Sequence, residues 1–181
     1  MNILDTIGHT PLIFLDKVSA SLPAKIHVKY EARNPGGSIK DRAAAGYLRA
    51  ALASGALAGG GTVVEATSGN LGIGLAVACR KLDLRLILTM PASASRERVA
   101  LLRGLGATVV LTPAELGMQG SQDKVDELLA SLPGATAPIS SAIPWGRASI
   151  TRPRGVENSL KTAGRKALLP PPSRRVGSAQ P

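Results

Sequence analysis

Asn34-Pro-Gly-Gly-Ser-Ile-Lys-Asp-Arg42 runs straight into Ala43-Ala-Ala-Gly-Tyr-Leu-Arg-Ala-Ala51. The glycine pair predicts a tight turn, and the alanine-rich run after it reads as a helix over residues 40–54. Lys40 thereby stands on a loop at the mouth of a helix. An amine so placed, if desolvated, has a lowered pKa and attacks a carbonyl carbon to form a Schiff base. Alone, a lysine at a helix start is an ordinary solvated charge. A second segment, Glu65-Ala-Thr-Ser-Gly-Asn-Leu-Gly72, gives it a chemical context.

Working outward, two hydrophobic periods alternate between residues 25 and 131. Residues 25–31, 62–65, 84–89 and 108–111 read as strands. Residues 40–54, 71–81, 95–105 and 121–131 read as helices, with Ser95 as the cap of the third. Turn chemistry marks the joints at Gly59-Gly60-Gly61, Pro91, Gly106 and Pro113. Such a series predicts right-handed crossovers and an α/β fold: an open, mostly parallel four-stranded sheet with helices on both faces. Only Phe14, Tyr30, Tyr47 and Trp145 are aromatic, so the core must be aliphatic.

Past Pro133 neither period continues. Residues 134–181 hold seven of the thirteen prolines, and residues 135–181 hold eight Lys/Arg against the single acid Glu157. Of the formal charge of +10, this stretch supplies +7. Its composition predicts a Pro/Arg-rich disordered tail, 134–181, behind a domain at 1–133. No apolar run is long enough to span a bilayer, and no signal-peptide pattern opens the chain. Cys79 is the only cysteine, which excludes an intrachain disulfide and fits a reducing cytoplasm. It lies in an apolar helical run and reads as a core residue.

Thr67-Ser68-Gly69-Asn70 falls between a strand and a buried helix. Free amides and the helix dipole there favour an anion, and two hydroxyls and a carboxamide add donors. That suits the carboxylate of an amino acid, with capping by Ser68 or Asn70 as the plain structural alternative. The glycines of Gly69-Asn-Leu-Gly-Ile-Gly74 have the wrong order for a dinucleotide fingerprint. His9 has no metal-spaced partner, so no metal site is expected.

Taken together, Ile7-Gly-His-Thr-Pro-Leu12, the Lys40 segment, Glu65-Ala-Thr-Ser-Gly-Asn70, Leu88-Thr-Met-Pro91 with Ser95-Arg-Glu-Arg98, Gly106-Ala-Thr-Val-Val-Leu-Thr-Pro113 and Gly117-Met-Gln-Gly120 occur in a family order. Residues 2–133 resemble the N-terminal part of cysteine synthase (O-acetylserine sulfhydrylase), a fold-type-II pyridoxal-phosphate enzyme. The resemblance implies that Lys40 carries pyridoxal 5'-phosphate as an imine and later takes the substrate's α-proton. It implies that Asn70 bonds the cofactor's phenolic oxygen, and that Thr67, Ser68, Gly69 and Asn70 hold the substrate carboxylate. Leu71 departs from the family's threonine and removes one hydroxyl contact. The implied reaction forms L-cysteine from O-acetyl-L-serine and sulfide, with a cystathionine β-synthase-type lyase as the alternative. Implied partners are a second subunit and serine acetyltransferase.

The family's later segments, including the cofactor-phosphate loop, do not appear in residues 134–181. Read across codon boundaries, residues 139–144 can be encoded by bases that spell Gln-Phe-x-Asn-Pro, and residues 149–155 by bases that spell His-Tyr-Glu-Thr-Thr-Gly, both family segments. The expectation is a truncated, weakly active or inactive copy whose tail is out of frame; a clean in-frame junction at the locus, with the tail shared by relatives, is the opposing result. An arginine-rich tail on a non-catalytic fragment could instead bind nucleic acid, with strong salt dependence.

Overall fold

In a computed structural model the structure describes residues 1–137. The expected tail therefore lies outside the described residues, apart from its first few positions. The main sheet is fully parallel, in the order β5-β4-β3-β6. It comprises β3 (Thr62–Ala66), β4 (Arg85–Pro91), β5 (Thr108–Thr112) and β6 (Ala135–Thr136). Helix α3 (Asn70–Lys81) joins β3 to β4, α4 (Arg96–Gly104) joins β4 to β5, and α5 (Gly117–Ser131) returns from β5 to β6. The expected α/β fold, with helices on both faces, is the one observed.

Strand alternation explains the two faces. Val63, Leu86, Leu88 and Met90 point into the larger core with Leu75 and Cys79 of α3, Val99 and Leu102 of α4, and Ala44 and Leu48 of α2 (Lys40–Ser54). Val64 and Ile87, one residue out of phase, pack on the other face against Val125, Leu128 and Leu129 of α5. Consecutive strands β3, β4 and β5 step one way across the sheet, and β6 returns to the far side of β3. With right-handed crossovers that reversal places α3 and α4 on one face and α5 on the other. A reversal of strand order opens a crevice at the strands' C-terminal ends. Here it falls beside β3, whose C-terminal end leads into Thr67.

Helix α2 has the bounds read from the sequence. Asp41, Ala44, Ala45, Leu48 and Ala51 form its buried stripe, and Gly55 ends it in the left-handed region at φ 76°. Ser95 caps α4 as expected, its side chain accepting from the Arg98 amide at 3.3 Å. Helix α5 starts at Gly117, four positions before the expected 121. Gly117 and Gly120 are weak helix formers and hide its first turn from a periodicity reading. Buried hydroxyls fasten that turn: Thr89 Oγ1 donates to the Ser121 carbonyl at 2.8 Å, and Thr112 Oγ1 and Ser121 Oγ lie 2.9 Å apart.

Two expectations need correction. The strand read at 25–31 does not join the parallel sheet. Its core, β2 (His27–Lys29), pairs antiparallel with β1 (Leu12–Phe14) in a separate two-stranded sheet, and the fourth parallel strand is β6. Between them lies the one-turn helix α1 (Asp16–Ser19). Leu12, Ile13, Phe14 and Val28 of the small sheet are exposed. Second, order continues past 133. Ala135 and Thr136 pair with Thr62 and Val63, and Thr136 Oγ1 donates to the Ala56 carbonyl at 2.8 Å. So short a strand shows no period; it is recruited by backbone groups that β3 would otherwise leave unpaired. Among the described residues no helix is long and apolar enough to cross a membrane.

Candidate active site

The turn before Lys40 is built around buried groups. Asn34, 4% exposed, accepts the Gly8 amide on Oδ1 at 2.8 Å. Its Nδ2 faces Glu31 Oε2 at 2.8 Å and the Glu31 and Ser38 carbonyls at 3.0 Å. The Gly37 amide closes on the Asn34 carbonyl at 2.8 Å with φ at 79°, a conformation that glycine supplies without strain. Asp41 Oδ2 accepts the Gly36 amide, while Asp41 Oδ1 is buried without a partner among the described residues. A Cβ at position 36 would sit 2.6 Å from that oxygen, so the second glycine requirement is steric. Burial pushes the Asp41 carboxyl above its ordinary range, and the Gly36 bond opposes the shift.

Glu31 and Arg42 tie this turn to the N-terminal segment. Arg42 Nε donates to Glu31 Oε2 at 2.7 Å and Nη2 to Oε1 at 2.8 Å, a two-pronged pair. Arg42 Nη2 also reaches the Gly8 carbonyl at 2.9 Å, and Thr10 Oγ1 donates to Glu31 Oε1 at 2.7 Å. The Arg42 bond, helped by Thr10 and Asn34 and opposed by desolvation, holds the Glu31 carboxyl down at about 2. The same pair raises Arg42. Lys29 donates to the Thr10 carbonyl and is lowered by burial and by the Arg42 charge.

Lys40 is the first residue of α2, and its backbone amide donates to Ser38 Oγ at 3.1 Å. Its side chain is exposed. The desolvation that the sequence reading made a condition is not supplied by residues 1–137.

The second loop continues β3. The Thr67 amide bonds the Thr89 carbonyl at 3.1 Å, extending the ladder by one residue. The Gly69 amide then turns back to Thr67 Oγ1 at 3.1 Å. Gly69 is the N-cap of α3, in extended conformation, and no side chain among the described residues caps the helix. Capping by Ser68 or Asn70 is therefore not what these residues do here. The loop is held instead from outside: Arg98 of α4 donates through Nη1 to the Ser68 carbonyl, and Ser68 Oγ lies 3.9 Å from Met118 Sδ of α5. Ser68 and Asn70 are exposed; Thr67 and Gly69 are half-buried.

Gly74 brings the two loops together. It lies one turn after Asn70, and a Cβ there would be 3.2 Å from Ala44 Cβ, Asp41 Cα and Asp41 N. The first turns of α2 and α3 thus abut, backbone against backbone, and the loops that precede them open on the same end of the fold. Gly74→Ala is expected to push the helices apart and cost about 1–3 kcal/mol, as overpacking does. Thermal or urea unfolding measures it; unchanged stability would mean that the contact is slack.

Sequence reasoning located Lys40 and the Thr67–Asn70 loop, but not the groups that brace them: Glu31, Asn34, Asp41, Arg42, Gly74 and Arg98. Asn34, Asp41 and Arg42 stood inside the leading motif without a role. Their partners lie up to 34 positions away, as from Arg42 to Gly8, where no local pattern reaches.

The sequence profile of the family described as "Pyridoxal-phosphate dependent enzyme" matches residues 3–153. The chain belongs to that family. It is 39% identical over 169 residues to the "Probable cysteine synthase" of Bacillus subtilis (strain 168), a match covering 90% of this chain and 54% of the relative. Among solved structures it is similar to the cysteine synthase (OASS) of Entamoeba histolytica. The TM-score there is 0.71 at 34% identity, over 76% of this chain and 42% of that one. It is also similar to the O-acetylserine dependent cystathionine beta-synthase of Helicobacter pylori, with a TM-score of 0.68 at 34% identity, over 77% of this chain and 46% of that one. The chain spans about half the length of the curated relatives it matches. The family match runs beyond residue 133 to 153, into residues outside those described.

The donor set fits the cofactor this family uses. An accessible primary amine suits its aldehyde, the carboxamide of Asn70 suits a ring oxygen, and the uncapped α3 N-terminus suits an anion.

Proposed function

We propose that this chain carries the lysine-bearing part of a pyridoxal-phosphate site for β-replacement, forming L-cysteine from O-acetyl-L-serine and sulfide. The observation that carries the reading is the close approach of α2 and α3 at Gly74, which sets the Lys40 turn beside the uncapped Thr67–Asn70 loop. The bound cofactor supplies an electron sink for a carbanion at the substrate's α-carbon. Lys40 Nζ would hold the cofactor through its aldehyde and, as a free amine, would accept the α-proton. Its exposure leaves it room to swing between the two tasks. Asn70 Nδ2 donates to the cofactor's ring oxygen and orients it.

Thr67, Ser68, Gly69 and Asn70 hold the substrate carboxylate. The Gly69 amide is already committed to Thr67 Oγ1. A carboxylate takes that amide over, and the Thr67 hydroxyl then turns from acceptor to donor toward the same anion. The anion gains two donors and no buried donor is stranded. Similarity to an O-acetylserine dependent cystathionine beta-synthase supports a second reading, in which a thiol such as homocysteine replaces sulfide. Incubation of the chain with pyridoxal phosphate, O-acetyl-L-serine and either sulfide or homocysteine tests both. Cysteine from sulfide alone supports the first, cystathionine the second, and neither product refutes activity in this chain.

A further inference from the structure

The loop that starts α3 is governed by a side chain outside it. We infer that Arg98 is a positioning residue: its guanidinium sets the plane of the Ser68–Gly69 peptide and so decides where the Gly69 amide points. The inference rests on the proposed function only in what it says of a carboxylate ligand. A trans peptide is planar, with its carbonyl and amide hydrogen aimed in opposite directions. No cis bond occurs among the described residues. Arg98 Nη1 takes the Ser68 carbonyl on one side of this peptide, and Thr67 Oγ1 takes the Gly69 amide on the other. While Arg98 holds the carbonyl, the amide stays aimed at the side where Thr67 Oγ1 lies, and an anion that takes the amide over must come in on that side without turning the peptide.

Arg98 is well rooted for the task. Its own amide is bonded to Ser95 Oγ at 3.3 Å in the capped first turn of α4. Val99 and Leu102 bury that helix in the same core as Leu88 and Leu75. Leu88 and Leu102 also line the space that a Cβ at Gly72 would enter, with Thr67 Cγ2 at 3.1 Å. Movement of α4 is thereby coupled to the Thr67 loop by packing as well as by the Arg98 bond. A cation bonded to a peptide carbonyl also polarises the peptide, which strengthens its N–H as a donor. Arg98 thus orients the Gly69 amide and makes it a better partner for an anion. Lysine keeps the charge but not the rigid fork.

The test uses the full chain labelled with nitrogen-15 and compares Arg98→Met, Arg98→Lys and, as a control on the exposed start of α4, Arg96→Met. Without cofactor, Arg98→Met is expected to move the Gly69 amide resonance and speed its hydrogen exchange about tenfold, the loss of one charge-assisted bond. Arg98→Lys is expected to recover part of this, and Arg96→Met to change neither. In the pyridoxal-phosphate-loaded chain, Arg98→Met is expected to weaken the O-acetyl-L-serine titration of the Gly69 resonance by a similar factor. A Gly69 resonance and exchange rate equal in Arg98→Met and Arg96→Met would overturn the inference. So would a Gly69 response to Arg98→Met that Arg98→Lys fails to rescue at all, since that would mark a general loosening. A rescued Gly69 response with no effect of O-acetyl-L-serine on any variant would support Arg98's hold on the peptide and count against the substrate reading.

Discussion

Lys40→Ala is expected to abolish covalent capture of pyridoxal phosphate. Borohydride reduction of the wild-type chain with the cofactor should add one cofactor mass to the peptide containing Lys40, and Lys40→Ala should add none there. The fold is not at stake. Lys40 is exposed at the first position of α2, where alanine is a good helix former, so stability should stay within about 0.5 kcal/mol. Lys40→Arg separates charge from chemistry: it keeps a cation at the same place but offers no amine that can lose its proton, so it too should fail. Exposed lysines elsewhere, such as Lys17 and Lys25, set the background of unselective labelling. Stoichiometric capture that persists in Lys40→Ala would place the aldehyde at another amine and end the proposed reading.

The second large effect concerns acid. Glu31 has a folded-state pKa of about 2 against an ordinary 4.5. A carboxylate with a lowered folded pKa contributes stability that is fully present above 4.5 and is lost as pH falls through about 2. The shift corresponds to about 3 kcal/mol over that window, most of it from the Arg42 pair, whose side chains are only 24% and 15% exposed. Glu31→Gln should lose a comparable amount at neutral pH, because it leaves the Arg42 guanidinium half-buried without its counter-charge. It should then be nearly flat between pH 4.5 and 2 on this account. Urea unfolding at a series of pH values reads both curves. If wild type and Glu31→Gln fall in parallel below pH 4.5, the Glu31–Arg42 pair is not the acid-sensitive element. Slower capture of the aldehyde at Lys40 should accompany the variant, since the same carboxylate holds Asn34 Nδ2 at 2.8 Å.

What could be read from the letters followed from the range of the forces. Helix α2 announced itself through its alanine content after a glycine turn, and β3 to β5 through short β-branched or aliphatic runs between turn residues. These signals act within a few positions. The pairing of β1 with β2 across the α1 turn, and the recruitment of Ala135-Thr136 to β3, depend on backbone groups distant in sequence, and their side chains carry no strong period. The candidate site divides in the same way. Lys40 and Thr67 to Asn70 were recognisable because the chemistry demands those side chains at those loops. Gly74 was passed over within a glycine-rich helix start. Arg98 stood at the end of the Ser95-Arg-Glu-Arg98 segment without a role of its own, although it reaches across to a carbonyl thirty positions earlier.

Cys79 supplies an internal gauge for every variant named above. The single thiol of the chain is 1% exposed, on the buried face of α3, and burial pushes its pKa up to about 12. A thiol-directed reagent can find it only when the sheet and α3 come apart, because the thiolate is the reactive form. Labelling pulses therefore clock the opening of the core at a residue the chain already carries. A substitution that spares the labelling rate but disables Lys40 has damaged chemistry, and one that quickens labelling has damaged architecture.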